Sequence, residues 1–165
     1  IEPEIALHLR CAPPRGAGVE ALLECVDWCA HGFEIVQSHF PGWRFRAPDT
    51  VADGALHGCY VYGEPLALDS LAPDPARALE ACSVSLYRDG ELCARGRGGN
   101  ALGNPLAALA HLVAVLDTQG PEVALKAGEI VTTGTLTPAL PVRPGETWHT
   151  EISGIALDGL ALRCC

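Results

Sequence analysis

The chain has 165 residues, of which 48% are hydrophobic, and its formal net charge is −9 at pH 7. This length suits one globular domain, expected over residues 1–165, that buries about 70% of the surface of the unfolded chain. The acidic balance, with Lys126 as the only lysine, argues against nucleic acid and an anionic membrane surface as partners. Apolar runs fall short of the ~20 residues of a membrane span, and no basic segment followed by an apolar one is present. We therefore expect no membrane association.

The first predicted element is a strand that carries two glutamates. Side chains alternate along a strand, so Glu2 and Glu4 point the same way, roughly 7 Å apart, while Ile1, Ile5 and Leu7 take the opposite, buried face. Two carboxylates this close repel each other unless a cation or a shared proton lies between them. The spacing alone fits either a solvated strand face or a carboxylate site for a hard divalent cation.

The later elements follow from periodicity and turn signals. A helix is predicted from residue 19 with Gly32 as its stop, then a strand over 33–38 that places Glu34 and Ser38 on one face. Asp49 resembles the N-cap of a short helical turn. An Asp89-Gly90 turn predicts a β-hairpin, and Asn104 followed by a proline predicts the start of a helix. Further strands are predicted at 59–62, 129–133, 147–152 and 160–163, so the pattern indicates an α+β domain.

Eight cysteines occur without any Cys-x-x-Cys pair, which disfavours a structural zinc site. They could form a disulfide framework, but most lie in apolar surroundings, where cysteine acts as a small hydrophobe. We therefore expect reduced thiols in a cytoplasmic protein. The chain has no methionine, so we expect that it either opens inside a longer polypeptide or lacks residues at its start.

Six segments, taken in their order along the chain, resemble the 2-keto-4-pentenoate hydratase and 4-oxalocrotonate decarboxylase family, within the fumarylacetoacetase-like superfamily. The resemblance covers essentially the whole chain. The segments are IEPEIA (1–6), FEIVQS (33–38), PDTVAD (48–53), GRGGNALGNP (96–105), LKAGEIVTTGTLT (125–137) and VRPGET (142–147).

The resemblance implies a single fumarylacetoacetase-like catalytic domain: a mixed β-roll or barrel, like the fumarylacetoacetase C-terminal domain, with outer helices. It also implies Mg²⁺ or Mn²⁺ bound by Glu2, Glu4 and Glu34, which agrees with the preference of these hard cations for oxygen ligands. The expected substrate is a small 2-oxo acid that chelates the metal through its carboxylate and keto oxygens. The expected reaction is hydration of a 2-oxo- or 2-hydroxy-dienoate in aromatic-compound catabolism.

Other positions have weaker cases for contact with the substrate. Gly134 and Thr135 match a family loop near the substrate carboxylate, although an ordinary strand-ending turn is the alternative. His57 could contact substrate or relay a proton, or be a plain loop histidine.

Ser38 could support the Glu34 face, and His39 stands where the family often has an arginine. Asp49 and Asp53 match the family block, with helix capping as the alternative for Asp49, and His31 and His111 are expected to be structural.

The alternatives to the hydratase come from departures from the family pattern. Gln37 and His39 stand where an aspartate and an arginine are usual, which leaves a 2-oxo diacid decarboxylase and a carbon–carbon hydrolase open. Family members also carry a segment before the metal motif, with a lysine that resembles an acid/base catalyst. If residues 1–165 were the whole molecule, we would expect impaired proton transfer, and a non-catalytic metal- or 2-oxo-acid-binding subunit is a further alternative. A homo-oligomer is expected.

Overall fold

The computed structural model describes residues 1–165 and contains nine strands in two sheets, together with five α-helices. The strands, β1 to β9 in chain order, are Glu2–Leu9, Val26–Val36, His57–Tyr62, Leu66–Ala67, Ser83–Arg88, Glu91–Arg97, Ile130–Thr132, Thr147–Ser153 and Ala161–Arg163. The helices, α1 to α5, are Val19–Cys25, Ala47–Ala52, Leu68–Leu71, Pro75–Ala81 and Pro105–Asp117.

The first sheet has the strand order β3-β2-β1-β7, with β4 also paired to β2. Strand β1 lies inside this sheet and is buried on both faces: Ile5, Ala6 and Leu7 are all fully inaccessible. Its partner β2 is eleven residues long and accompanies β1 along its whole length. The glutamates of β1 are therefore held by a strand whose apolar residues anchor it on both sides.

The second sheet has the order β6-β5-β8-β9. Strands β5 and β6 form the hairpin expected from Asp89-Gly90, and both turn residues have positive φ, 51° and 84°, as a type I′ turn requires. A small core cluster joins the two sheets, since Phe33 of β2 packs with Leu86 of β5 and Trp148 of β8. The larger core cluster lies between the first sheet and the helices, and includes Leu22 of α1 and Leu109 of α5.

The expected α+β roll with packed helices is confirmed, but every strand pairing in both sheets is antiparallel rather than mixed. The physical reason is that no strand–helix–strand crossover connects neighbouring strands in parallel, so hairpins and returning segments build both sheets.

Two local predictions are wrong. Gly32 does not end a helix: α1 ends at Cys25, β2 begins directly at Val26, and Gly32 lies inside β2. Asp49 is not an N-cap, because α2 begins at Ala47 and the Asp49 carboxylate accepts a hydrogen bond from the backbone N–H of Arg46. In both cases the observed element begins earlier in the chain than predicted.

Helix α5 begins as predicted, since the Asn104 side chain accepts a hydrogen bond from the N–H of Leu106. The segment Gly98–Asp117 is long and apolar enough to be a candidate membrane span by composition. The α-helix itself, however, covers only Pro105–Asp117 and is about 20 Å long, shorter than the ~30 Å of a hydrocarbon core. Its buried residues, among them Leu109 and Val113, pack in the protein core.

Candidate metal centre

The register of β1 against β2 brings three glutamates together. Glu2 is the direct cross-strand partner of Glu34, and Glu4 is the partner of Gly32. Cross-strand partners project from the same face of a sheet, and so do residues two apart on one strand. One carboxylate oxygen from each of Glu2, Glu4 and Glu34 lies within 4.8 Å of the others. We call these three residues the carboxylate cluster.

The carboxylate cluster is crowded and partly desolvated. Glu4 is only 2% exposed, whereas Glu2 and Glu34 are half-buried. The pKa of Glu4 is raised to about 7, mainly by burial and also by the charges of Glu34 and Glu2, while a backbone hydrogen bond from Gly134 opposes the shift. Burial, followed by the charge of Glu34, also raises the pKa of Glu2.

The composition of the carboxylate cluster fits a divalent cation. No lysine or arginine forms an ion pair with Glu2, Glu4 or Glu34, so the protein itself supplies little positive charge to offset the three carboxylates. Carboxylate oxygens are the ligands that Mg²⁺ and Mn²⁺ prefer. Glu2, Glu4 and Glu34 are therefore the residues that would hold such an ion.

Backbone and side-chain donors orient two of the three carboxylates. The N–H of Gly134 donates to Oε2 of Glu4 over 3.0 Å, and Gly134 has a φ of 101°, which favours glycine. The Nδ1 atom of His57, the first residue of β3, lies 2.6 Å from Oε1 of Glu34. Hydrogen bonds of this kind fix which oxygen a carboxylate presents to a cation.

His31 supports the backbone of Glu4 from the buried side. Its Nδ1 donates to the carbonyl oxygen of Glu4 over 3.0 Å, and its Nε2 lies 2.8 Å from the hydroxyl of Thr150 on β8. Burial lowers the pKa of His31 to about 4, so the ring is neutral at neutral pH. Its Nε2 therefore accepts a hydrogen bond from the hydroxyl group of Thr150. The histidine links the carboxylate cluster to the second sheet, in agreement with its expected structural role.

Replacing His31 with alanine should lower the free energy of unfolding by about 3 kcal/mol, because it leaves buried polar partners unpaired and opens a cavity. The matched control is His111→Ala, since His111 is exposed on α5 and its loss should change stability by less than about 0.5 kcal/mol. Urea unfolding of both variants gives the comparison. Equal stability of the two variants would contradict this role of His31.

Tyr60 is a feature of the site that periodicity did not reveal. It is the cross-strand partner of Glu34 on β3, and its hydroxyl is the one buried side-chain polar atom in the structure without a hydrogen-bond partner. The proximity of Tyr60 to Glu34 can be recognised only when the register of β3 against β2 is known. Tyr60 therefore belongs to the surroundings of the carboxylate cluster.

Three other candidate residues form hydrogen bonds outside the carboxylate cluster. The Ser38 hydroxyl accepts from the N–H of Phe40, and β2 ends at Val36, so Ser38 does not continue the Glu34 face of the strand. His39 pairs with Asp53. The Thr135 hydroxyl donates to the carbonyl of Thr137. The structure thus places His57 and Gly134 on the carboxylate cluster and gives Ser38, His39 and Thr135 local partners instead.

Comparison with known proteins identifies the family. The sequence model for the fumarylacetoacetate (FAA) hydrolase C-terminal family matches residues 1–158. The chain belongs to this family. The resemblance inferred from the sequence segments is therefore confirmed.

Curated relatives within the family carry two kinds of name. The chain is 33% identical over 160 residues to a 2-hydroxyhexa-2,4-dienoate hydratase from Comamonas testosteroni, covering 93% of this chain and 56% of the relative. It is 30% identical over 157 residues to a 4-oxalocrotonate decarboxylase from Pseudomonas putida, covering 94% of this chain and 56% of the relative. The chain thus spans a little over half the length of the curated relatives it matches.

Among solved structures, 4-oxalocrotonate decarboxylase from Pseudomonas putida G7, complexed with magnesium and adipate, superimposes with a TM-score of 0.88. The sequence identity is 25%, and the alignment covers 99% of this chain and 59% of that protein. The fold described above is therefore that of the fumarylacetoacetate hydrolase C-terminal family.

Proposed function

We propose that the protein is a metal-dependent hydro-lyase that adds water to a 2-oxo-4-enoate of the 2-keto-4-pentenoate type in the catabolism of aromatic compounds. The carboxylate cluster carries this proposal, because three partly desolvated carboxylates that pair with no lysine or arginine suit a divalent ion. The 33% identity to a dienoate hydratase supports hydration as the reaction. Net addition of water across the C4=C5 double bond places a hydroxyl group on C4 and a hydrogen atom on C5.

Mg²⁺ or Mn²⁺ held by Glu2, Glu4 and Glu34 would supply Lewis-acid polarisation of the carboxylate and keto oxygens of a 2-oxo acid. The magnesium in the solved 4-oxalocrotonate decarboxylase supports a divalent cation. The Gly134 N–H keeps Glu4 turned toward the other two carboxylates. Gly134 and Thr135 remain proposed contacts for the substrate carboxylate, and Ser38 and His39 remain proposed contacts for the substrate.

His57 is the proposed proton carrier within this chain. Its Nδ1 atom is engaged by Glu34, its side chain is 49% exposed, and Nε2 has no hydrogen-bond partner in the protein. With Nδ1–H donating to the carboxylate, the lone pair of Nε2 is free to accept a proton from water. We propose that His57 takes a proton from the attacking water at Nε2.

A 2-oxo diacid decarboxylase of the 4-oxalocrotonate type is the second candidate. The TM-score of 0.88 to a solved decarboxylase favours it, and the same three carboxylates would serve both reactions because both need a stabilised enolate. A carbon–carbon hydrolase of the superfamily and a non-catalytic binding subunit are the remaining alternatives. The carboxylate cluster alone does not distinguish among these reactions.

An activity assay separates the candidates. Incubation of the protein with Mg²⁺ and 2-hydroxypenta-2,4-dienoate should remove the absorbance of the dienol and yield 4-hydroxy-2-oxopentanoate. A His57→Ala variant should bind Mg²⁺ about tenfold more weakly, because Glu34 loses its hydrogen bond, and at saturating Mg²⁺ it should turn over more slowly by about a hundredfold. Release of CO₂ from 2-oxohex-3-enedioate, without hydration of the dienoate, would overturn the hydratase in favour of the decarboxylase. Mg²⁺ binding without turnover of either compound would favour the non-catalytic subunit.

The proposed partners and compartment follow from the same features. The substrate is a small 2-oxo acid, and we propose that the protein works as a homo-oligomer in the cytoplasm. All eight cysteines are free and three of them, Cys25, Cys29 and Cys82, are buried, which suits a reducing compartment. Exposed large hydrophobic side chains such as Val51 and Leu102 suit contact between subunits.

A further inference from the structure

The hydroxyl of Tyr60 lies buried beside the carboxylate cluster without a partner. The phenol is a donor that normally finds an acceptor when it is buried, and its oxygen is fully shielded from solvent. Every other buried side-chain nitrogen and oxygen in the structure has a hydrogen-bond partner. The absence of an acceptor at this one atom therefore needs a physical explanation.

Gly32 explains how the hydroxyl reaches its position. A Cβ atom at residue 32 would lie 2.5 Å from the Tyr60 hydroxyl oxygen, so the phenol occupies the space that any side chain on β2 would fill. Gly32 is the cross-strand partner of Glu4 and stands two residues before Glu34 on the same face. The hydroxyl therefore lies over the backbone between these two glutamates.

The ring of Tyr60 is held in place by stacking. Its centroid lies 6.1 Å from that of Tyr62, which lies 6.0 Å from that of Trp28, and His8 stacks on Trp28 at 4.7 Å. These rings form a row along one face of the first sheet. A ring fixed in such a row has little freedom to turn its hydroxyl toward another acceptor.

The charge state of the phenol is also fixed. Burial, and then the charges of Glu4 and Glu34, raise the pKa of Tyr60. The hydroxyl therefore keeps its proton at neutral pH and acts as a donor. Glu34 and Glu4 flank it, since Tyr60 is the cross-strand partner of Glu34 and its hydroxyl lies at Gly32, the partner of Glu4.

A glutamate that binds a cation through one oxygen leaves its second oxygen in need of a donor. Gly134 serves one oxygen of Glu4 and His57 serves one oxygen of Glu34. We propose that Tyr60 is a positioning residue that donates its hydroxyl hydrogen to Glu4 or Glu34 when these carboxylates turn to hold a divalent cation. This inference rests on the proposed metal site and adds a tyrosine to it.

The test measures Mn²⁺ binding by titration calorimetry, with no substrate present. Tyr60→Phe, which keeps the ring and its stacking, should raise the Kd for Mn²⁺ about tenfold, the lower end of the range for partners of metal ligands. The matched control is Tyr62→Phe, because Tyr62 belongs to the same row but is 43% exposed, and its Kd should equal that of the wild type. Near-ultraviolet circular dichroism checks that both variants are folded.

A second measurement begins with the wild-type protein. Mn²⁺ should shift the tyrosine absorption band of the wild-type protein to longer wavelength, as a phenol does when it begins to donate a hydrogen bond. The same shift should occur in Tyr62→Phe and be missing in Tyr60→Phe. Wild-type affinity in Tyr60→Phe, or an unmoved tyrosine band in the wild-type protein saturated with Mn²⁺, would overturn the role of Tyr60 and leave the metal site standing. A wild-type protein that binds no Mn²⁺ would overturn both.

Discussion

Replacing Glu4 with glutamine should raise the Kd for Mg²⁺ by more than about a hundredfold, since even substitutions of groups that only support metal ligands cost about ten- to a hundredfold. Glutamine keeps the shape of the side chain, and its oxygen can still accept the hydrogen bond from Gly134. What it removes is the negative charge that is most deeply buried in the carboxylate cluster. The loss of affinity should therefore reflect coordination and charge rather than a change of fold.

Titration calorimetry with Mg²⁺ measures this effect, and urea unfolding of the metal-free protein provides the second readout. The free energy of unfolding of Glu4→Gln should not fall, because the substitution removes a buried charge that other carboxylates repel. Glu64→Gln is the matched control, since Glu64 is exposed and forms no ion pair. Equal Mg²⁺ affinity in Glu4→Gln and Glu64→Gln would mean that the carboxylate cluster is not a metal site.

Replacing Gly96 with alanine should lower the free energy of unfolding by about 3 kcal/mol or more, because the added Cβ meets rigid backbone. A Cβ at Gly96 would lie 1.8 Å from the carbonyl oxygen of Leu136. The N–H of Leu136 donates to the carbonyl of Pro3, which stands between Glu2 and Glu4, over 2.8 Å. Displacing Leu136 should therefore disturb the carboxylate cluster as well as the packing of β6.

The matched control for Gly96→Ala is Gly99→Ala, where the nearest atom to an added Cβ is 3.5 Å away, an ordinary contact. Urea unfolding should show a large loss for Gly96→Ala and a change within about 1 kcal/mol for Gly99→Ala. Mg²⁺ affinity should fall only in the first variant. A Gly96→Ala protein as stable as Gly99→Ala would contradict the close approach of β6 and residue 136.

Elements with local signals could be predicted from the sequence. The Asp89-Gly90 turn and the Asn104 cap depend on residues that are adjacent in the chain, and both appear as expected. The shared face of Glu2 and Glu4 also follows from alternation along one strand. That Glu34 would join them came from the family resemblance, and the register of β1 against β2 provides the physical basis.

Elements that depend on tertiary contacts could not be predicted in this way. Gly32 looks like a helix stop because glycine usually ends helices, yet its role in β2 is to leave room for the Tyr60 ring. Helix α4 is an exception, because its cap is local: the Asp74 side chain accepts from the N–H of Arg77, yet no helix is predicted there. The buried hydroxyl of Tyr60 is visible only when β3 is placed beside β2.

An anomalous difference map from a crystal of the protein grown with Mn²⁺ would show whether Glu2, Glu4 and Glu34 hold a divalent cation. Manganese scatters anomalously, so its position is read without assumptions about the ligands. We expect one strong peak bounded by carboxylate oxygens of all three glutamates, with the Gly134 N–H still on Glu4. A map with no peak there, or with the Mn²⁺ bound at other residues, would mean that the three glutamates are not the metal ligands.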